Sequence, residues 1–566
     1  MKDFFRIFSS KMRGFFGEPA NPVWKIDRDA FMKTENAQII GSFLYGYHHE
    51  HPDNEWSKNP ILLEATESIL QEMFKLQNYH PNRVSYVLME AYPLLKKYLP
   101  HLSSSFEPLL KGFATHFGKK LIDRQYLTQL TSANVGYGTN HLAVELKVVT
   151  QYHKYVEKSL GVIPGINETF LKNFLQRFME YMNPEGYWPE TDGPALIYNR
   201  LTGSSLLDVA IDLNELETYR KHFEKVSDFH VYTTMPDGRL MDILDGRNSN
   251  GSFNHLGSFL PLTPFGNDWY QKMIPLCEKD IDTCYSFGQA LEFLRASEKI
   301  KEKYGVKESV SVWKVKSLEK KINDFTIVKN DLWIAGVSTF KSRPRPEGHF
   351  TFDHQNIFSL FHTEFGEIFG GQNSKNDPEI STFSKFMNTF DGDPVTKPMP
   401  KYIPGNGKAS YLKNKLTVER DYRGFEGSLS IEFKDSHLAE LTLFARARAN
   451  EYPIQCNLIL PCGSHKPFFD ANQNAIPLDE NAKTLTNKEV GSFLYFPEYK
   501  NSNILAKGKN RKLKISVPNE ATIQWPFKPW DTYNTVSDRE LLPNKWYCVM
   551  HINLTNEPVK LKIEIV

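Results

Sequence analysis

Apolar residues recur at helical spacing through the first half of the chain, from about residue 30 to about residue 305. Proline, glycine and asparagine breaks separate the periodic segments, as in Leu160–Gly165 and Met182–Gly186. The pattern predicts serial helical hairpins packed into a ring or an incomplete toroid. The segments with helical spacing are Ile61–Leu76, Arg83–Tyr98, Phe106–Phe117, Leu142–Val156, Leu171–Met182 and Ser286–Tyr304.

The pattern changes beyond about residue 310, where short runs rich in β-branched and aromatic residues are separated by turn residues. In the last run, Val559, Leu561, Ile563 and Ile565 alternate with charged residues. Many short strands with that alternation predict a large antiparallel β-sandwich. The predicted strands are Thr326–Val328, Leu332–Ser338, Asn356–His362, Leu429–Phe433, Glu440–Ala445, Leu513–Val517, Trp546–Asn553 and Val559–Val566.

The two halves together predict a multidomain α+β protein. Its parts are an N-terminal extension over residues 1–29, an (α/α) incomplete toroid over residues 30–305, and an antiparallel β-sandwich over residues 306–566. The charged stretch Glu298–Lys307 is the predicted hinge between the halves. A chain of 566 residues fits this division, because it exceeds what one hydrophobic core usually serves.

Composition narrows the class of partner. The hydrophobic share of 40% and the charged share of 24% are typical of a soluble protein. A net charge of +1 provides no strong field for nucleic acid or membranes, so we expect neither as a partner, and an acidic ligand would have to be attracted locally. Five cysteines without Cys-x-x-Cys spacing favour reduced thiols over a disulfide framework.

Charges interrupt the N-terminal segment Met1–Arg13 before the apolar core of a signal peptide can form. We expect a short amphipathic helix there that packs on the domain. We also expect no transmembrane span, because no window is long and apolar enough. The expected location is cytoplasmic, or periplasmic or secreted if a leader is missing from this sequence.

The adjacent pair Asn140-His141 and the later Tyr198 supply an amide, an imidazole and a phenol. The amide can hydrogen-bond a carboxylate and stabilise the charge that develops when a neighbouring C–H proton leaves. The imidazole or the phenol can take that proton, and the phenol can protonate a leaving oxygen. These groups are the ones that β-elimination from a uronic-acid sugar needs.

The combination resembles the heparinase II/III-like and oligoalginate-lyase group of polysaccharide lyases. The similarity covers nearly the whole chain in architecture, and in sequence it lies in short stretches: Asn140-His141, and Tyr198 within the segment Gly186–Asn199. The resemblance implies a helical toroid followed by a β-sandwich. It also implies an acidic polysaccharide or oligosaccharide as the partner and no required cofactor.

A second segment, Gly348–His362, is similar to the His-x-His-x-Asp segment of the same group. The resemblance implies that His349 helps Asn140 to neutralise the uronate. Thr351 stands where the group has a metal-binding histidine, so the implied structural zinc site would need rearranged ligands. The alternative is that these histidines are hydrogen-bonded residues of a sheet. The candidate ligands are His349, Asp353, His354 and His362.

Two residues near Tyr198 are candidates for substrate binding. Trp188 is expected to stack on a sugar ring, and Glu190 is expected to accept hydrogen bonds from hydroxyl groups or to order the loop. Both lie in the segment Tyr187–Tyr198 that precedes and includes the candidate phenol.

Three arginines are further candidates for substrate binding. Arg239 and Arg247 lie near two Asp-Gly turns and either clamp a carboxylate or pair with nearby aspartates, Asp242 and Asp245, to hold the loop. Arg345 belongs to the basic stretch Lys341–Pro346, which either attracts a polyanion or forms a solvated loop.

The sequence therefore predicts a lyase that cleaves a uronate-containing glycan by β-elimination and leaves a 4,5-unsaturated uronate. The base is Tyr198 for syn elimination or His141 for anti elimination, and the sequence leaves this choice open. The alternatives are a uronyl C5-epimerase on the same scaffold and a non-catalytic glycan-binding protein.

Overall fold

The computed structural model describes residues 1–25, 39–76, 81–126, 139–190, 193–244, 257–279, 287–305, 308–341, 356–370, 381–385, 405–422, 424–448, 454–460, 468–476, 483–497, 511–527 and 547–566. The chain forms two compact units. The helical unit consists of Met1–Thr191, Tyr198–Val231 and His255–Ser311. The sheet unit consists of Asp192–Ile197, Tyr232–Asn254 and Val312–Val566.

Helices with an apolar face account for most of the described part of the first half. Each predicted helical segment is found as a helix or as the larger part of one. The helices are α1 (Lys2–Phe16), α2 (Ile40–His48), α3 (Ile61–Leu76), α4 (Pro81–Tyr98), α5 (Ser103–Arg124), α6 (Thr139–Gln151), α7 (Glu168–Tyr181), α8 (Leu196–Asp212), α9 (Leu216–Tyr232), α10 (Pro264–Lys279) and α11 (Phe287–Tyr304).

Helix α1 is amphipathic and packs within the helical unit. Phe4 and Phe8 are fully buried, and the Trp56 indole N–H donates to the Ser9 carbonyl at 3.2 Å. The α-amino group of Met1 forms an ion pair with the buried Glu298 of α11 at 2.9 Å. Burial of these phenylalanines, at about 2 kcal/mol each, accounts for docking of the helix on its own domain.

Antiparallel strands form the second half of the chain. The strands are β1 (Ser317–Ile322), β2 (Phe325–Asn330), β3 (Trp333–Ser338), β4 (Phe358–His362), β5 (Gly366–Phe369), β6 (Phe383–Lys385), β7 (Gly407–Leu412), β8 (Lys415–Tyr422), β9 (Phe425–Phe433), β10 (Leu438–Ala447), β11 (Ile454–Leu460), β12 (Phe468–Phe469), β13 (Ala475–Ile476), β14 (Lys483–Thr486), β15 (Phe493–Pro497), β16 (Lys512–Ser516), β17 (Ala521–Phe527), β18 (Tyr547–Leu554) and β19 (Val559–Ile565). A short helix, α12 (Asn487–Val490), follows β14.

The described strands make three sheets that share one core. Their strand orders are β1-β2-β3-β4-β5, then β13-β12-β15-β16-β19-β10-β9-β8-β7, then β14-β17-β18-β11-β6. A continuous cluster of buried apolar side chains from all three sheets fills the space between them. In β19 the alternation predicted from the sequence places Leu561 and Ile563 opposite Leu441 and Ala439 of β10.

The predicted fold class is confirmed, with a helical first half followed by antiparallel sheets. Closure of the helices into an incomplete toroid stays a prediction. The charged stretch predicted as the hinge is helical as far as Tyr304, because Glu298 is buried in an ion-pair network with Lys301 and the chain terminus. In the part of the chain that the structure describes, no helix has the length and apolar character needed to span a membrane.

Candidate functional site

The candidate residues Asn140 and Tyr198 both lie in the first turn of a helix. Asn140 is the second residue of α6, and Tyr198 is the third residue of α8. The first N–H groups of a helix have no partner within it, and the helix dipole places positive charge at this end. Both residues are therefore placed where an anion is stabilised.

Two ion pairs show that α6 and α8 run in the same direction. Lys147 pairs with Asp208 at 2.7 Å, and Lys154, in the π-helical continuation of α6, pairs with Asp212 at 2.7 Å. Because the residue numbers increase along both helices, the helices are parallel and their first turns lie at the same end.

Asn140 and the ion-pairing Lys147 lie on the same side of α6. Asn140 precedes Lys147 by about two helical turns, and the Lys147 ammonium group pairs with Asp208 of α8. His141 is rotated by about 100° from Asn140 around α6.

A short segment joins the two first turns. The Thr139 hydroxyl donates to the Pro189 carbonyl at 2.9 Å, and the Trp188 backbone N–H donates to the Asn199 side-chain oxygen at 2.9 Å. Asn140 and Tyr198 are each one residue away from these bonds. The segment therefore links the first turn of α6 to the first turn of α8.

The side-chain amide of Asn140 has an oxygen without a hydrogen-bond partner. Only 4% of the residue is exposed, and its Oδ1 atom is buried with no hydrogen-bond partner. Leaving such a group unpaired costs about 1–3 kcal/mol. Since rotation of the amide exchanges Oδ1 and Nδ2, the same side chain can also present two N–H donors to a ligand. Tyr198 and His141 are half-buried.

Asn199, which was not predicted from the sequence, links the Trp188 backbone to the buried His230. Its amide nitrogen donates to Nε2 of His230 at 3.1 Å, and His230 is 1% exposed. Burial, with a smaller effect of the Arg200 charge, lowers the pKa of His230 from 6.5 to about 3. The imidazole is therefore neutral and accepts at Nε2. A polar Tyr-Asn-Arg run at the start of a largely buried helix was the available signal.

The buried charges around Lys147, which follows Asn140 on α6, were also not predicted from the sequence. Lys147 is 2% exposed, and its ammonium group contacts both Asp208 of α8 and Glu292 of α11. One buried cation thus links three helices of the unit. Helical periodicity identified α6 from its apolar stripe, but α6 is buried on nearly all sides, and its polar residues face other helices.

Trp188 and Glu190 lie in the interior of the helical unit. Trp188 is 1% exposed and donates its indole N–H to the Phe178 carbonyl at 2.7 Å, so the ring is part of the core and offers no open face to a sugar. Glu190 is 3% exposed. In this structure both residues support the loop between α7 and α8.

Arg239 lies on the sheet unit with two buried carboxylates as partners. Its guanidinium group pairs with Asp237 at 3.1 Å and with Glu367 of β5. The Asp242 side chain and Asp245, which the sequence also offered as partners, lie outside the described residues. Burial raises the pKa of Glu367. The positive charge of Arg239 is thus compensated within the protein.

Both ring nitrogens of His362 are engaged, which does not fit a metal ligand. Nε2 donates to the Ser436 carbonyl at 2.8 Å, and Nδ1 accepts from the Glu364 backbone N–H at 3.2 Å. Burial lowers the pKa of His362 to about 4. Among the described residues, no group of three or more potential ligands could hold a metal ion. The other predicted site residues, Arg247, Arg345, His349, Asp353 and His354, lie outside the described residues.

His230 is expected to make the helical unit less stable as the pH falls. Its pKa is depressed in the folded state, so the unfolded chain takes up a proton first. This contribution is complete above pH 6.5 and is lost towards pH 3, at about 1.4 kcal/mol per pH unit. Urea unfolding followed by circular dichroism at several pH values measures it. His230→Gln should have the shallower pH dependence, and equal slopes would contradict this assignment.

Comparison with known proteins identifies the fold. No protein-family profile matches the chain, and no curated protein does. Among solved structures, the chain is similar to heparinase III, with 11% identity, 99% of this chain and 88% of that chain covered, and a TM-score of 0.51.

A second solved structure is the chondroitin AC lyase of Streptomyces coelicolor A3, determined in complex with chondroitin sulphate. Its identity is 12%, 100% of this chain and 78% of that chain are covered, and the TM-score is 0.50. At these identities the likeness shows the fold alone. The resemblance to polysaccharide lyases that the sequence predicted is confirmed at that level, and the scaffold is that of a polysaccharide lyase.

Proposed function

We propose that this protein is a polysaccharide lyase that cleaves a uronate-containing glycan by β-elimination. The observation that carries the proposal is the buried, unpartnered Oδ1 atom of Asn140 in the first turn of α6, a helix that runs parallel to α8, whose first turn contains Tyr198. An amide and a phenol are the groups that proton abstraction next to a carboxylate needs. The lyase scaffold supports the same reaction class.

The carboxylate of the uronate binds at Asn140. An amide N–H and the positive end of α6 stabilise the negative charge that moves onto the carboxylate when the C5 proton leaves. After rotation of the amide, Nδ2 takes the position of the unpartnered Oδ1 and donates to the carboxylate. His349 as a second neutralising group stays a prediction.

Tyr198 transfers the proton. The phenolate takes the C5 proton, the C5–H electron pair forms the C4=C5 double bond, and the C4–O4 bond breaks. The phenol then gives the same proton to the departing O4 oxygen. No water enters the products. Because His141 is rotated by about 100° from Asn140 around α6, we assign the base to Tyr198, and hence syn elimination.

The substrate is proposed to be an acidic polysaccharide or oligosaccharide. The first test is incubation with alginate, heparan, chondroitin, hyaluronan and simpler glucuronans, followed by near-ultraviolet absorbance of the conjugated alkene. An absorbance increase on one of them supports the lyase and identifies its substrate. Solvent-deuterium exchange at C5 without alkene indicates an epimerase, and binding with neither change indicates a non-catalytic glycan-binding protein; both results contradict the proposal.

A further inference from the structure

Arg420, on the sheet unit, is a buried cation without an acidic partner. It lies on β8, where Leu416, Val418, Arg420 and Tyr422 alternate onto the inner face of the sheet. Only 2% of Arg420 is exposed. No described carboxylate lies within ion-pair distance of its guanidinium group. The buried Arg239 and Lys147, by contrast, each form ion pairs with two carboxylates.

Backbone carbonyls occupy only part of the guanidinium group. Nη2 donates to the Phe340 carbonyl at 2.6 Å, and Nη1 makes a long contact of 3.5 Å with the Ser338 carbonyl. The Nε atom is buried without a partner. An arginine side chain has five N–H donors, so these two carbonyls engage two of them and leave the buried Nε–H without a partner.

The neighbouring backbone is shaped around this side chain. Gly407 of β7 lies opposite Arg420 in the strand ladder. A β-carbon at Gly407 would come within 2.6 Å of Arg420 Cδ and 2.9 Å of Nη1. Glycine is therefore the residue that lets the edge strand pass over the guanidinium group.

The charge of Arg420 is not cancelled locally. The acidic groups that influence it are Asp324, whose residue is exposed, and Asp421, which is 43% exposed and pairs with Arg448. Neutral carbonyls do not cancel a formal charge, and a buried unpaired ion costs several kcal/mol. Burial lowers the pKa of Arg420, the direction expected for such a cation.

A second unsatisfied donor lies on the same strand face. The Tyr422 hydroxyl oxygen is buried without a hydrogen-bond partner, and its ring stacks on Phe425 with centroids 4.5 Å apart. Arg420 and Tyr422 are two residues apart, so their side chains leave β8 on one side. Two neighbouring groups thus lack the same kind of partner, a hydrogen-bond acceptor.

We propose that Arg420 is the centre of an anion-binding site that takes one oxyanion group, a sulfate or a carboxylate. The planar fork of a guanidinium group matches the geometry of both, and a charge-assisted pair satisfies the buried Nε. The Tyr422 hydroxyl is the second candidate donor. The site uses none of the residues of the proposed elimination, so the anion-binding proposal does not depend on that function.

The test is thermal unfolding of the full chain in increasing sodium sulfate or sodium glucuronate at constant ionic strength. Wild type should show a saturable rise in Tm of about 3 °C or more, whereas general salting effects of sulfate do not saturate. Arg420→Met should lose the rise. The matched control is Arg446→Met, which removes an exposed arginine of β10 and should retain it. A rise in Tm with either anion that Arg420→Met loses supports the site and identifies its ligand, whereas a glucuronate response that Arg420→Met keeps and Asn140→Ala loses belongs to the proposed uronate site.

Either of two results would overturn the site: no saturable response of the wild type to either anion, or an equal response of Arg420→Met. If Arg420→Met does not fold, Arg420→Lys is the replacement, because it keeps the charge and loses the fork. The half-saturating anion concentration of Arg420→Lys should then rise by about tenfold or more, and an unchanged value would likewise overturn the proposal.

Discussion

Replacing Tyr198 with phenylalanine is expected to lower turnover by roughly 10²-fold or more, the usual scale for loss of a proton-transfer group. The change removes one hydroxyl group from a half-buried residue, so folding and glycan binding should stay nearly intact. The measurement is the steady-state rate of alkene formation on the substrate that the wild type cleaves, with binding measured separately by calorimetry. Near-wild-type turnover of Tyr198→Phe would show that the phenol is structural.

Two further variants sharpen this result. Tyr126→Phe makes the same chemical change at a residue of the helical unit that is 83% exposed, and its turnover should equal that of the wild type. His141→Ala identifies the base. If Tyr198 both takes and returns the proton, His141→Ala retains measurable activity; a loss as large as that of Tyr198→Phe would assign the base to His141 and anti elimination.

Replacing Asn140 with alanine is expected to lower turnover by about 10²-fold. The transition state loses a donor to the carboxylate as its charge develops, and removal of one such donor typically costs about 3 kcal/mol. Because the interaction strengthens as the C5 proton leaves, the loss should appear mainly in kcat and less in KM. A variant that changes KM alone would show that Asn140 only binds the ground state.

The same substitution separates function from folding. Asn140 Oδ1 has no hydrogen-bond partner, so Asn140→Ala should leave the free energy of unfolding unchanged or raise it. Asn199→Ala is the matched comparison. Asn199 accepts from Trp188 and donates to His230, so its loss should destabilise the protein by about 1–3 kcal/mol. Equal destabilisation by both substitutions would contradict the view that Asn140 is held ready for a ligand.

Local periodicity predicted the elements of the fold well. Ile61–Leu76 and Val559–Val566 match α3 and β19 to within one residue, because burial of one face of a helix or strand leaves a direct pattern in the sequence. The charged stretch predicted as the hinge shows the complementary limit. A charged stretch indicates solvent exposure, yet Glu298 is buried, with the distant α-amino group of Met1 and the nearby Lys301 as its cationic partners.

The candidate site was also predicted only in part. Asn140 and Tyr198 were proposed from their chemistry and order in the chain, and each lies in the first turn of a helix. Lys147 could not be predicted as a link, since its partners Asp208 and Glu292 are remote in sequence and no periodicity connects them.

Long-range partners also decided the roles of the other aromatic and charged candidates. Trp188 was expected at a sugar because an indole suits that task, but the Phe178 carbonyl satisfies its N–H inside the core. Arg239 was expected to bind either a ligand or local aspartates. Its partner Glu367 lies on a strand of the other half of the sequence, where only the tertiary fold could bring the two together.

The most direct test of the account is the fate of water during cleavage. The substrate identified by the glycan panel is digested in oxygen-18 water, and the products are analysed by mass spectrometry together with near-ultraviolet absorbance. The account predicts one conjugated alkene for each new chain end and, in samples quenched before the new anomeric hydroxyl exchanges its oxygen with water, no oxygen-18 in either product. The masses of the two products should add up to that of the substrate with no water gained, and alkene formation should be reduced in Tyr198→Phe. Incorporation of oxygen-18 without alkene would show hydrolysis and would contradict β-elimination at Asn140 and Tyr198.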